Sequence, residues 1–236
     1  RGKKPVMTRP AHIGLKKDLV DEAKRRDGPS EESRQIDYRE ITAFVIVSEG
    51  DLIASDIPER GGRDGATVLG EDIPHGVKTL RKLKPGKNVA HEERYYYATV
   101  DGRLEWGEDY FRVNPVLELK EAVDYHTGHI DFPGDVILHR PVSDRFHIHA
   151  EGSVYCMDTL DASDVKCGGD LIARRGIIGR NQGRVEVGGR IDARYVENCY
   201  IEAKGPIRVQ TGIVNSLVNT LEHVETGKRG IVIGGK

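Results

Sequence analysis

Between Ile130 and Lys236 apolar and polar residues alternate with period two on both sides of five glycines: Gly134, Gly152, Gly169, Gly189 and Gly205. Two residues after each glycine stand Val136, Val154, Leu171, Ile191 and Ile207, and four after stand Leu138, Cys156, Ala173, Ala193 and Val209. Four before stand Ile130, Ile148, Val165, Val185 and Ile201, and two before stand Phe132, Ala150, Cys167, Val187 and Ala203. On a strand this alternation sends the apolar set to one face and the polar set to the other. Each glycine is therefore a corner between two short strands.

Steps of 18, 17, 20 and 16 residues separate the glycines. A period of that size means a stacked repeat, because one unit cannot bury its own apolar face. Three short strands and three corners use about that many residues, so successive coils stack at roughly 4.8 Å and each column becomes an internal ladder of like side chains. The predicted fold is a parallel β-helix. Left-handed coils advance in steps of about six residues; the wandering period here predicts the right-handed form. An antiparallel sandwich needs hairpin turns between neighbours, whereas the columns set each strand beside its own equivalent one turn later.

Ahead of the coils the pattern is less regular. Leu19, Val20 and Ala23 form a narrow apolar stripe that predicts a helix between Ile13 and Arg26, stopped by Gly28-Pro29. From Ile41 the character turns to β. Ala43 to Val47 reads as a buried strand, Gly50-Asp51 as a turn into Leu52-Ile53-Ala54, and Leu83 to Gly86 as a turn. Tyr95 to Val100, Asp101-Gly102 and Arg103 to Trp106 read as a hairpin. Gly61, Gly62, Gly65 and Gly70 suit turns, since no Lys-Ser or Lys-Thr follows at phosphate-loop spacing. The expected division is a charged segment with one helix (1–37), a small β domain capping the coils (38–122) and the β-helix (123–236).

Composition narrows the functional classes. Hydrophobic residues make up 37% of the 236 positions, enough for real cores, and 28 glycines suit a corner-rich β protein. Thirty-six basic against 38 acidic residues, a net charge of −2, supply no electrostatic footprint for nucleic acid. No apolar run is long enough to span a bilayer, and no secretory signal opens the chain. Cys156 and Cys167 fall in inward columns where other coils carry Ala or Val, and Cys199 lies one turn before Ser216. Three cysteines without Cys-x-x-Cys spacing read as small core residues kept reduced, which predicts a cytoplasmic protein.

Several strings carry a family resemblance: Leu83-Lys84-Pro85-Gly86-Lys87-Asn88-Val89, the stretch from Tyr96-Tyr97-Ala98 to Asp101-Gly102-Arg103, Pro115-Val116-Leu117-Glu118, and above all Val123 to Phe132. With the glycine-anchored coils they resemble the flagellar assembly protein A family over roughly residues 40 to 236. The resemblance implies a small β domain joined to a right-handed β-helix, and a role in bacterial polar flagellar assembly through protein contacts. It implies no catalytic residue and no cofactor.

Candidate chemistry falls on the outward positions. Asp158, Asp161 and Asp164 suit a corner, where Asp bonds its own backbone, better than a calcium site, which wants six or more oxygens. His126, His129, His139, His147 and His149 crowd one span, and His147 and His149 point outward from one strand, a geometry that can chelate zinc. Later coils put Lys166, Glu186 and Glu202 in the column of His149, a mixed charged ladder, so no metal ligand is assigned. A third outward column holds Ile137, Tyr155 and Ile172 before turning to Asp192 and Arg208. Three apolar residues in adjacent coils where polar ones belong should be covered, by the stripe of Leu19, Val20 and Ala23 or by the segment beyond Ile231; left bare, they are the candidate partner-binding or self-association face, with Tyr155 as its anchor. The expected function is a non-enzymatic scaffold with protein partners, no nucleic acid and no membrane span. A polymer-forming cytoskeletal β-helix and a carbohydrate-active enzyme are the alternatives, the latter lacking paired acids.

Overall fold

The computed structural model describes residues 2–26, 44–123, 127–142, 146–161 and 164–235. From Val116 onward the chain winds into a parallel β-solenoid of about six coils. Three ladders form its walls. The first stacks Val116–Leu119, Asp135–Leu138, Val154–Cys156, the starts of Leu171–Val187, Ile191–Ala203 and Ile207–Val214, then Val224–Thr226. The second stacks Ile130–Phe132, His147–Ala150, Asp164–Cys167, the ends of the two longest strands, and Leu217–Thr220. The third runs through Leu160, Ile177, Val196, Ile213 and Val232.

The four apolar columns read from the sequence are the register of the first two ladders. Leu117, Val136, Val154, Leu171, Ile191 and Ile207 stand one above another, each no more than 1% exposed. The third ladder escapes period-two reading because each of its strands sends one residue inward. Leu160, Ile177 and Ile213 nevertheless fall eight residues after Gly152, Gly169 and Gly205, Val196 falls seven after Gly189, and Val142, bridged to Val123, falls eight after Gly134. All five are buried. One residue of the variation arises before this ladder, at the register shift between Ala193 and Tyr195, and the rest past it, where Ile178 and Gly183 bracket a register shift and Arg180, Asn181, Asn198 and Asn215 take positive φ at the corner.

The anchoring glycines answer a need for close approach. Each donates its amide to the carbonyl of the glycine one coil back: Gly152 to Gly134 at 3.1 Å, Gly169 to Gly152 at 2.9 Å, Gly189 to Gly169 at 2.8 Å and Gly205 to Gly189 at 2.9 Å. A Cβ on Gly205 would stand 2.9 Å from the Gly189 backbone, inside ordinary contact. The next position extends the corner with side chains: the Ser153 amide donates to Asp135 Oδ1 (2.7 Å), the Asp170 amide to Ser153 Oγ (3.0 Å) and the Arg190 amide to Asp170 Oδ1 (3.0 Å). The solenoid interior is filled with aliphatic side chains and Phe132 and Phe146; Phe44 joins this cluster and Ile46 packs against it.

A second compact unit holds most of the described residues before Pro115. Its antiparallel sheet has the order His12–Leu15, Leu52–Ile57, Tyr95–Ala98, Val89–Glu92. Another sheet runs Ile46–Val47, Gly102–Trp106, Tyr110–Asn114, Lys84–Pro85. Three expectations are corrected. Ile13 and Leu15 lie in a strand, and the helix is Lys17–Arg26. Tyr95–Ala98 and Gly102–Trp106 do not pair as a hairpin: the first pairs with Val89–Glu92 across a turn holding Glu93 at φ +55°, and the second neighbours Tyr110–Asn114, with Gly107 donating to Tyr110 at 2.9 Å. Lys84–Pro85 is a short strand parallel to Tyr110–Phe111, and the turn follows at Asn88, φ +60°. The segment before the helix bridges back onto the glycine-rich stretch, with Lys3 opposite Ala66, Val6 opposite Arg63 and Arg9 opposite Arg60. A Cβ on Gly62 would meet the Thr8 amide and Val6 carbonyl at 2.7 Å each, so that glycine admits a neighbouring backbone. Gly28-Pro29, Ile41, Ala43 and His126 lie outside the described residues, as do the side chains of residues 22–26, Ala23 included.

Candidate functional site

With the interior filled, binding chemistry in the solenoid falls to outward positions, and two outward columns stand apart. On the first ladder, Ile137, Tyr155 and Ile172 are direct neighbours in successive strands, and all three are half-buried. Glu118 precedes them in the column; Asp192, Arg208 and Glu225 follow. Polar pairs bound the apolar stripe at both ends. Glu118 Oε1 lies 2.8 Å from His139 Nε2, and Arg190 Nε lies 3.1 Å from Asp192 and 3.3 Å from Asp170. Farther on, Arg208 donates to Glu225 at 2.9 Å and holds its carboxyl below the ordinary carboxylate value. The segment Ile231–Ile233, one expected cover for the stripe, instead continues the third ladder beside Gly212–Val214.

On the second ladder the outward column reads Asp131, His149, Lys166, Glu186, Glu202, Asn219. Its later members are those the sequence indicated; the residue one coil before His149 was missed. Counting three residues back from Gly134, as His149 stands from Gly152, finds Asp131. Its two oxygens serve two imidazoles: Oδ2 lies 3.0 Å from His147 Nε2 and Oδ1 3.1 Å from His149 Nδ1. The His147 and His149 rings stack with centroids 4.4 Å apart, and His129 stacks on His147 at 3.8 Å. The His147 amide donates to His129 Nδ1 at 3.1 Å. On its far side His149 Nε2 faces Asp164 Oδ2 at 3.5 Å.

The three aspartates of the corner disperse. Asp158 accepts the Thr159 amide at 2.7 Å and lies 3.4 Å from Arg175; Asp161 pairs with Arg180 at 2.5 Å; Asp164 faces His149 and, at 3.9 Å, Lys166. They share no focus for a cation. Cys156, Cys167 and Cys199 are free and buried in their columns, and burial pushes their thiols up to about 11, about 12 and about 11. The Cys199 amide donates to Ser216 Oγ at 3.3 Å, across the one-turn step seen in the sequence. Among the described residues no helix is long and apolar enough to cross a membrane.

A side-chain-filled parallel β-solenoid with its chemistry on outward columns, preceded by a small sheet unit, is the class of protein these features define. Residues 115–236 match the Flagellar Assembly Protein A beta solenoid domain, and residues 1–108 match the Flagellar Assembly Protein A N-terminal region. The chain belongs to the flagellar assembly protein A family. Comparison with curated proteins and with solved structures found no match.

Proposed function

We propose that the chain is a non-enzymatic docking scaffold in bacterial polar flagellar assembly, acting in the cytoplasm through protein contacts, with Ile137, Tyr155 and Ile172 as the contact face. The observation that carries this reading is the apolar stripe itself. Its three members occupy positions where the same column elsewhere holds Glu118, Asp192, Arg208 and Glu225. An aromatic flanked by two isoleucines and rimmed by polar pairs has the composition of an interface centre with a polar rim.

A photo-crosslinking residue placed at position 155 in the native cell is expected to give discrete protein adducts, and the same residue at position 202 none. With the captured partner purified, Tyr155→Asp should weaken binding by at least about 2 kcal/mol, the size of an interface hot spot. Equal adducts at both positions, or unchanged binding by Tyr155→Asp, would remove the stripe from the interface. A dimer in sedimentation that Tyr155→Asp dissociates would assign the face to self-association.

A further inference from the structure

We infer that Asp131, His147 and His149 form a binding site for a divalent ion of the zinc class, which clips the first strand of the second ladder to the next. One ligand atom from each of the three residues lies within 4.8 Å of the others. Zinc bonds of about 2.0–2.1 Å to imidazole and carboxylate place the ligand atoms of a tetrahedral shell roughly 3.3 Å apart. Asp131 Oδ2 lies 3.0 Å from His147 Nε2 and Oδ1 lies 3.1 Å from His149 Nδ1, each within a few tenths of that spacing but from different oxygens, so the carboxylate must turn for one oxygen to serve an ion held by both rings. Rotation of the exposed Asp131 carboxylate between the two half-buried imidazoles would admit an ion. Two imidazoles and one carboxylate select Zn²⁺, Co²⁺ or Ni²⁺ over Ca²⁺ or Mg²⁺, which prefer all-oxygen shells.

The surroundings are those of a prepared ligand set. His149 offers Nδ1 to Asp131 while its Nε2 faces the Asp164 carboxylate, the carboxylate–histidine–metal arrangement that fixes a ring's tautomer and raises its basicity. Asp164 Oδ1 is buried and has no hydrogen-bond partner, while its Oδ2 also lies 3.9 Å from Lys166 Nζ. His129, stacked on His147 and accepting that residue's amide, holds the His147 ring from behind. Three protein ligands leave a tetrahedral ion one position for water.

The location suggests what the ion does. Asp131 lies on Ile130–Phe132, a three-residue strand that among the described residues ends its ladder and is paired on one side, while His147 and His149 lie on the strand it pairs with. An ion held by both strands ties an end strand of the ladder to its neighbour.

The test is a titration of the untagged, EDTA-treated full chain with Co²⁺, read by its visible ligand-field bands, followed by displacement with Zn²⁺. The expected result is saturation at one ion per chain with a tetrahedral spectrum. His147→Ala and Asp131→Asn should abolish it, and Asp164→Asn should weaken affinity by about 10- to 100-fold as an outer partner does. His223→Ala, in a remote histidine paired with Glu225, should leave it unchanged. Zn²⁺ should also raise the melting temperature and slow amide exchange at residues 130–132 in the wild type and not in Asp131→Asn. Asp131→Asn keeps the side-chain shape, and its melt in EDTA, expected within a few degrees of wild type, separates lost binding from lost folding. No stoichiometric uptake, or uptake retained by a His147→Ala/His149→Ala double variant, would overturn the site. Equal zinc protection of residues 130–132 in Asp131→Asn would overturn the clip.

Discussion

The two outward columns of the solenoid share one backbone and differ in chemistry. On the second ladder Asp131, His149, Lys166, Glu186, Glu202 and Asn219 are all polar, and many find partners: Asp131 and Asp164 hold two histidines, and Arg184 pairs with Glu186. On the first ladder the same outward register carries Ile137, Tyr155 and Ile172 between charged ends. Inward positions show no such freedom, since every member of the two ladders' apolar columns from Ile130 to Val209 is buried. Stacking dictates what points in and leaves open what points out, so a departure from polarity on an outward column is a statement about use.

The contrast between inward and outward positions breaks first if Ile191→Asp or Val185→Asp is tolerated. Each side chain is fully buried, and an unpaired carboxylate there costs several kcal/mol against a total stability of about 5–15, so loss of the cooperative thermal transition is expected. Gly205→Ala should cost about 1–3 kcal/mol in chemical denaturation, as overpacking does, because its methyl group would press on the backbone of Gly189. The thiols provide a chemical reading of the same division. Burial raises their pKa, which means the protonated form is favoured in the folded state and stability falls as pH rises from about 9 toward their folded values of about 11 to about 12. At pH 8 the folded chain should resist iodoacetamide, and all three cysteines should react once it is denatured. The smallest effects belong outside: Glu186→Ala and Ile172→Lys should each shift stability by no more than about 0.5 kcal/mol. Ile172→Lys sharpens the comparison between columns, since it extends the charged register into the stripe and should still reduce partner binding.

Much of the solenoid could be read from residues in line. Period two and recurring glycine are enforced by geometry that repeats every coil: an inward position must be apolar, and the corner must let one backbone ride directly on the next, as the stacked amides from Gly152 to Gly205 show. Asp131 was within reach of the same counting, one coil before His149; the ring stacking and the shared carboxylate were not, because rotamers decide them.

The sequence by itself determined the repeat, the four inward columns of two ladders, the outward apolar stripe and the family, since each is a local pattern renewed at every turn. Only the tertiary structure decided the pairing ahead of Pro115. There Tyr95–Ala98 could meet either neighbouring strand, and the charged N-terminal segment finds its partners far along the chain, Arg9 beside Arg60 and Leu15 beside Ala54. Non-repeating strands carry no record of which neighbour they choose, because the choice rests on the summed packing of distant residues such as Tyr96 against Phe111, 5.5 Å apart edge to face.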